Sequence, residues 1–323
     1  MTPVVSIFRY LALWIVFVLL VKMDRDIIAI RAARYKRKLE QDDNTGIAAK
    51  VSRPSVEALA TLTVLSWNID GLDTLRPPQD LALRTFKVCE ICLLQKPLVI
   101  FFQEVTEVSW RLLGSALSKD YWMCRQGAEG VVSSPEYFVA ILLRKDTFLE
   151  PTSIKTESFP GSRMGRAVLK VVGVLRDHTR DDKIPCAPLL FATAHLESLK
   201  ESRSERINQL RLAFKAMQGS DRVVFGGDLN IRDDEVVAAE ERDHSSILDC
   251  WEAAGFNQQT RWTWDTSKND NCGMKPGPKC RFDRVYVKGG FQVKSFSLVG
   301  QDRIKELRRF ASDHFGVLVG LSV

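Results

Sequence analysis

Five short apolar runs in this sequence each begin or end on a group that can do chemistry, and this repetition restricts the fold more than any single motif. Thr61 to Trp67 stops at Asn68-Ile69-Asp70-Gly71, and Leu98 to Phe102 stops at Gln103-Glu104. Leu189 to Ala194 stops at His195-Leu196-Glu197-Ser198, and Val223 to Gly226 runs into Gly227-Asp228-Leu229-Asn230. The fifth run, Phe315 to Leu321, follows Ser312-Asp313-His314. Each has the length and the β-branched or aromatic content of a buried strand. Strands whose ends carry polar groups can converge them in one cleft. Taken singly, Asn68 to Gly71 reads equally as a turn, Glu104 as the approach to a helix, and His314 as a satisfied histidine. Their coincidence favours a site.

The fourth run is the densest. Glycine lets the backbone come close to a neighbour, and Asp228, Asn230 and Arg232 follow at alternate positions. Alternation places side chains on one face if the chain stays extended. A carboxylate, an amide and a guanidinium together can orient water, hold an anion and offset phosphate charge.

Between these runs the sequence alternates strand and helix signals, which predicts a single α/β domain over 59–323. Leu83, Phe86, Ile91 and Leu94 give helical spacing up to Pro97, and Ile207, Leu210, Phe214 and Met217 form the apolar face of a second, charged helix. Further strands are expected over Tyr137 to Leu143, Arg166 to Leu175, Phe282 to Val287 and Phe291 to Leu298, and a helix near Ile247 to Ala254. No internal repeat is visible. Cys89 and Cys92 have C-x-x-C spacing without a second pair and lie in an apolar helical pattern, so they read as core thiols.

Charge divides the chain. The formal balance is +6, yet residues 22–38 hold seven Lys/Arg against two Asp and Arg9 adds one more, so residues 39–323 sum to zero. Overall basicity is therefore no argument for nucleic acid. Residues 3–22 are mostly apolar, of marginal length for a membrane span. They predict an apolar helix, followed to residue 38 by a basic juxtamembrane-like segment and over 39–58 by a polar linker. Such an anchor would leave the catalytic domain cytoplasmic.

The motifs in order, Trp67-Asn68-Ile69-Asp70-Gly71-Leu72, Gln103-Glu104-Val105, His195-Leu196-Glu197-Ser198, Gly227-Asp228-Leu229-Asn230-Ile231-Arg232-Asp233, Trp264-Asp265-Thr266, Arg281-Phe282-Asp283-Arg284 and Ser312-Asp313-His314, resemble the endonuclease/exonuclease/phosphatase superfamily of metal-dependent phosphodiesterases. The resemblance spans Leu62 to Leu321 and extends to the branch that cleaves tyrosyl–DNA bonds. It implies a four-layered α/β sandwich of two mixed sheets flanked by helices, which periodicity alone does not separate from a doubly wound sheet. It implies Mg²⁺, with Mn²⁺ as a substitute, held by Glu104 with Asp70. Asp228 would take a proton from water positioned with Asn230. Asn68, His195 and His314 would donate to the phosphate, with Asp313 orienting His314. Tyr137, Ser198, Arg232, Trp264 and Phe282 would grip the DNA end. The implied substrate is DNA with a 5′-tyrosyl or topoisomerase-derived peptide adduct, the implied location nucleus and/or cytoplasm. Two other readings carry the same motifs: a membrane-anchored sphingomyelinase-type phosphodiesterase, and a catalytically silent scaffold.

Overall fold

The computed structural model describes residues 61–73, 78–127, 136–176, 187–240 and 247–322. The expected apolar helix at 3–22, the basic segment to 38 and the linker to 58 lie outside these residues. Among the described residues no helix is long and apolar enough to cross a membrane.

In chain order the elements are β1 (Leu62–Asn68), α1 (Pro78–Gln95), β2 (Val99–Val105), α2 (Glu107–Leu117), β3 (Tyr121–Arg125), β4 (Phe138–Arg144), β5 (Ile154–Ser158), β6 (Ala167–Gly173), β7 (Leu189–His195), α3 (Arg203–Met217), β8 (Val223–Asp228) and α4 (Asp233–Glu240). There follow β9 (Leu248–Asp249), the single turn α5 (Cys250–Ala253), β10 (Trp264–Asp265), β11 (Lys279–Cys280), β12 (Asp283–Lys288), β13 (Gln292–Val299) and β14 (Gly316–Ser322). Two six-stranded sheets have the orders β13-β14-β1-β2-β4-β3 and β5-β6-β7-β8-β12-β9, and β10 and β11 form a small hairpin. Each large sheet has one parallel pair at its centre, β1 with β2 and β7 with β8, between antiparallel neighbours. The two sheets thus repeat one topology, although the sequence shows no repeat. A sheet needs only the right apolar alternation, which many side-chain sets satisfy.

Strand alternation builds the layers. Along β1, Leu62 and Val64 point to a cluster with Phe101, Ile141, Phe191, Val224 and Val285, which is the core between the sheets. Leu65 and Trp67 point the other way, to Val88, Cys92, Phe102 and Leu113 under α1 and α2. A third cluster puts Leu210, Phe214 and Met217 of α3 against Phe225 and Tyr286 on the second sheet. This is the expected arrangement of two mixed sheets flanked by helices.

Three local expectations change. The buried stripe of α1 is Thr85, Val88, Cys89 and Cys92, one position off the expected face, and Leu94 is exposed. Cys89 and Cys92 are core thiols, and burial pushes the Cys89 thiol up to about 12. The helix expected near Ile247 to Ala254 shrinks to one turn, because Leu248–Asp249 pairs with Tyr286 and Val287 and the Asp249 side chain caps Trp251 N and Glu252 N. The Asp228-Asn230-Arg232 alternation does not continue an extended chain. Asn230 has φ 50°, and α4 begins three residues later with three acids in its first turn, where the helix dipole favours them.

Candidate active site

The ends of the central strands define the site. Register sets Asn68 of β1 beside Gln103 of β2, His195 of β7 beside Asp228 of β8, and Asp283 of β12 on the other side of Asp228. Gly227 permits the approach: at φ 150°, a Cβ here would lie 1.9 Å from the Ala194 carbonyl oxygen. Past the strand ends the chain turns sharply, and Asp70, Glu104 and Asn230 all take left-handed backbone, with φ of 51°, 54° and 50°. Non-glycine residues in that region are strained, and such strain persists where surrounding structure fixes it, commonly at working sites.

Asp228 is the hub. Its Oδ2 accepts from Asn68 Nδ2 at 2.9 Å and lies 3.2 Å from His195 Nε2 and 3.7 Å from His314 Nε2. Its Oδ1 accepts from the Asn230 backbone N–H at 3.0 Å. Burial alone would raise this carboxyl, but His195, His314 and Asn68 outweigh it and hold it well below the usual carboxylate range. Asn68 joins two carboxylates, since Nδ2 also donates to Glu104 Oε1 at 3.1 Å, while its Oδ1 accepts from Asp70 N at 2.9 Å.

Asp283, which the sequence reading passed over, orients His314: its Oδ2 sits 2.7 Å from His314 Nδ1. Asp313 was expected in that role and instead accepts from Trp264 Nε1 at 3.3 Å. Burial disfavours the imidazolium, yet Asp283 and Asp228 outweigh it and raise His314 well above its ordinary 6.5. A value raised on folding means this proton stabilises the fold fully below about 6.5, and the stabilisation is lost as pH rises through the raised value. Asp283→Asn should bring His314 down toward the ordinary range, so that its imidazole titrates at lower pH by NMR. An unchanged titration would show that Asp228 and Asp313 hold the proton without Asp283.

Among the described residues two groups of ligating atoms lie within 4.8 Å of one another, Glu104–His195–Asp228 and Asp228–Asp283–His314. Asp70, expected as a co-ligand of Glu104, is in neither: its Oδ2 accepts from Arg84 Nη1 at 3.1 Å. It still belongs to a knot of negative charge. Burial, then the Asp313 carboxylate, push Asp70 up to about 8 against the lowering by Arg84, and Glu104 adds to the rise. Crowded oxygen donors of one sign fit a hard divalent cation.

The other expected residues line this centre. Tyr137 lies 6.4 Å from the His195 ring, and Phe282 lies between His314 at 6.3 Å and Trp264 at 5.6 Å, ring centroid to centroid. The Arg232 guanidinium covers Phe282 at 5.4 Å. Ser198 Oγ lies 3.5 Å from Asn230 Nδ2. Asn230 Nδ2 also donates to Leu196 O, which ties the β7 and β8 ends together. Arg84 and Arg166 are buried participants that the sequence did not reveal. A lone arginine carries no local signature in a sequence.

A hydrogen-bonded carboxylate thus stands between two histidines and beside an acidic knot, at the ends of two facing mixed sheets. The model of the endonuclease/exonuclease/phosphatase family matches residues 65–314, and the chain belongs to that family. Within it the chain is similar to tyrosyl-DNA phosphodiesterase 2: 33% identical to the Rattus norvegicus protein over 88% of this chain and 73% of that one. With the Homo sapiens protein it is 34% identical, over 81% of this chain and 68% of that one. The crystal structure of Danio rerio tyrosyl-DNA phosphodiesterase 2 complexed with single-strand DNA product superposes with a TM-score of 0.70 at 29% identity, covering 82% of this chain and 100% of that one.

Proposed function

We propose that this chain hydrolyses the 5′-phosphotyrosyl bond between DNA and a trapped topoisomerase II, leaving a 5′-phosphate. The observation that carries the chemistry is the convergence of Asn68, His195, Asn230 and His314 on Asp228 beside Glu104. The names of the relatives supply the substrate class.

In this reading the donors that rest on Asp228 turn to the phosphate when substrate enters. Asn68 Nδ2, His195 Nε2 and the His314 imidazolium then bind its oxygens, and each such donor contributes on the order of 10²–10³ in rate. Relieved of them, Asp228 becomes a better base and takes the proton of a water held with Asn230. Glu104 would hold Mg²⁺ or Mn²⁺, which when bound withdraws charge from a non-bridging phosphate oxygen and steadies the leaving oxygen. The departing phenol has a pKa of about 10, so it leaves with little acid assistance. Water supplies the new P–O bond, and the P–O bond to tyrosine breaks. In ¹⁸O-water the label should appear in the terminal 5′-phosphate and not in the released tyrosine; labelled tyrosine, or none released, would contradict the reading.

The rim favours nucleic acid over a sphingolipid. The residues from Ser267 to Lys279 are polar or charged apart from Cys272, Met274, two glycines and two prolines, with Ser267 and Lys268 exposed. At the base of this hairpin Trp264, with Phe282 beside it, offers a stacking face next to the Arg232 cation. Trp264→Ala should weaken DNA binding by about 1–3 kcal/mol, the contribution of one base stack, and slow turnover because the same groove orients the scissile phosphate. The check is kinetics on 5′-tyrosyl DNA beside a chromogenic phosphotyrosyl diester without bases. Equal loss on both would assign Trp264 to the fold.

A further inference from the structure

Arg206 of α3 is fully buried, and all three of its side-chain nitrogens are engaged. Nε and Nη2 make a two-pronged pair with Glu235 of α4, at 3.0 Å to Oε2 and 2.8 Å to Oε1. Nη1 donates to three consecutive carbonyls of the turn after β7: Glu197 O and Ser198 O, each at 3.2 Å, and Leu199 O. Gln209, also buried, takes the Glu197 N–H at 2.9 Å. Leu199 needs such a hold, since its backbone is left-handed at φ 67° while its side chain is exposed. The Glu235 carboxylate serves the neighbouring turn. Glu235 is the third residue of α4, and its Oε2 also accepts from the backbone N–H of Arg232 at 3.2 Å. That is the return half of a capping box. Arg232 Nη1 donates in turn to Asn230 O at 3.0 Å. One ion pair thus links the turn carrying Ser198 to the turn carrying Asn230 and Arg232. Stability alone does not call for it, because buried pairs often only offset their desolvation and packed apolar residues commonly serve as well. Apolar residues cannot, however, hold three carbonyls and an N–H in place.

We propose that Arg206, paired with Glu235, is a positioning residue for the hydrolysis: it sets the Ser198 hydroxyl against Asn230 before substrate enters. This rests on the phosphodiesterase reading, in which Ser198 grips the DNA end through a phosphate oxygen and Asn230 holds the attacking water. Ser198 Oγ and Asn230 Nδ2 already stand 3.5 Å apart. A shift of about 1 Å in such a group is enough to cost on the order of 10² in rate. Lysine at 206 keeps a charge opposite Glu235. As a single ammonium it cannot make the fork to Glu235 and hold the three carbonyls as well.

The test is a double-mutant cycle on the full chain, with Arg206→Lys, Ser198→Ala and the pair combined, read as kcat/KM on a 5′-tyrosyl oligonucleotide and as melting temperature. Ser198→Ala should lose about 10-fold or more, as expected for a hydrogen bond to a charged oxygen. Arg206→Lys should lose no more than that. The combined variant should be no slower than Ser198→Ala alone, within about 2-fold, because a misplaced hydroxyl and a missing one cost the same. The melting temperature should still fall with Arg206→Lys in both backgrounds. A residue that only stabilises the fold would lower the melting temperature without this coupling. The assignment is overturned if the two kinetic losses multiply, or if Arg206→Lys keeps the wild-type kcat/KM. Should Arg206→Lys fail to fold, Glu235→Gln takes its place in the same cycle under the same criteria. Failure of both to fold assigns the pair to stability and also overturns the proposal. The cycle is repeated as affinity for a 5′-phosphorylated oligonucleotide by fluorescence anisotropy, which separates the two claims. Coupled losses of affinity without tyrosine release from wild type defeat only the activity, whereas tyrosine release with uncoupled losses defeats only the role of Arg206.

Discussion

Asp228→Asn is expected to lower kcat on 5′-tyrosyl DNA by roughly 10²–10⁴-fold, the usual contribution of a positioned general base. The substitution is nearly isosteric but reverses the local chemistry. Oδ2 accepts from Asn68 and faces both histidines, with His195 Nε2 at 3.2 Å. An amide either turns its oxygen to these groups or sets an NH₂ against them, and in neither case can it take a proton from water. The loss should persist at every metal concentration, because an amide cannot act as a base whatever the metal. Thermal melting must accompany the kinetics, since the side chain is buried. A folded variant within about tenfold of wild type would remove Asp228 from the role of base.

Glu104→Gln should be nearly as damaging and differ in kind. Glu104 accepts from Asn68 Nδ2 and adds to the charge pressing on Asp70, so its half-buried carboxylate belongs to the acidic knot. Losing one charged oxygen ligand weakens a hard divalent ion without disturbing the strand, because the neutral amide oxygen still accepts the Asn68 bond. Turnover at low Mg²⁺ is expected to fall by on the order of 10²–10³. Added Mg²⁺ or Mn²⁺ should restore part of it, a dependence absent in Asp228→Asn. Near-normal turnover at low metal would refute the assignment.

Much of the framework was legible because apolar runs that stop at a polar group leave a visible mark. Asn68, Glu104, His195 and Asp228 all lie at strand ends, and the structure gathers them. Asp283, quoted only within the Arg281-Phe282-Asp283-Arg284 motif, was given no role because it opens a strand and does not end an apolar run. Asp313 was misassigned because it adjoins His314 in sequence. Successive residues point apart here, Asp313 to Trp264 and His314 to Asp283. Asp70 was paired with Glu104 by motif, whereas its partner Arg84 reaches it from α1 with nothing in the sequence to show it. The bend at Asn230 escaped because alternate polar residues look extended until a left-handed residue breaks the strand.

The central claim is that this centre cleaves a tyrosine–phosphate bond at the 5′ end of DNA. The most direct measurement compares rates of tyrosine release, with Mg²⁺ present, from 5′-tyrosyl and 3′-tyrosyl oligonucleotides of one sequence, beside phosphocholine release from sphingomyelin vesicles. The account predicts rapid release from the 5′-adduct, with the 3′-adduct and the lipid slower by orders of magnitude. Equal release from both DNA ends, or preferential cleavage of the lipid, would contradict it.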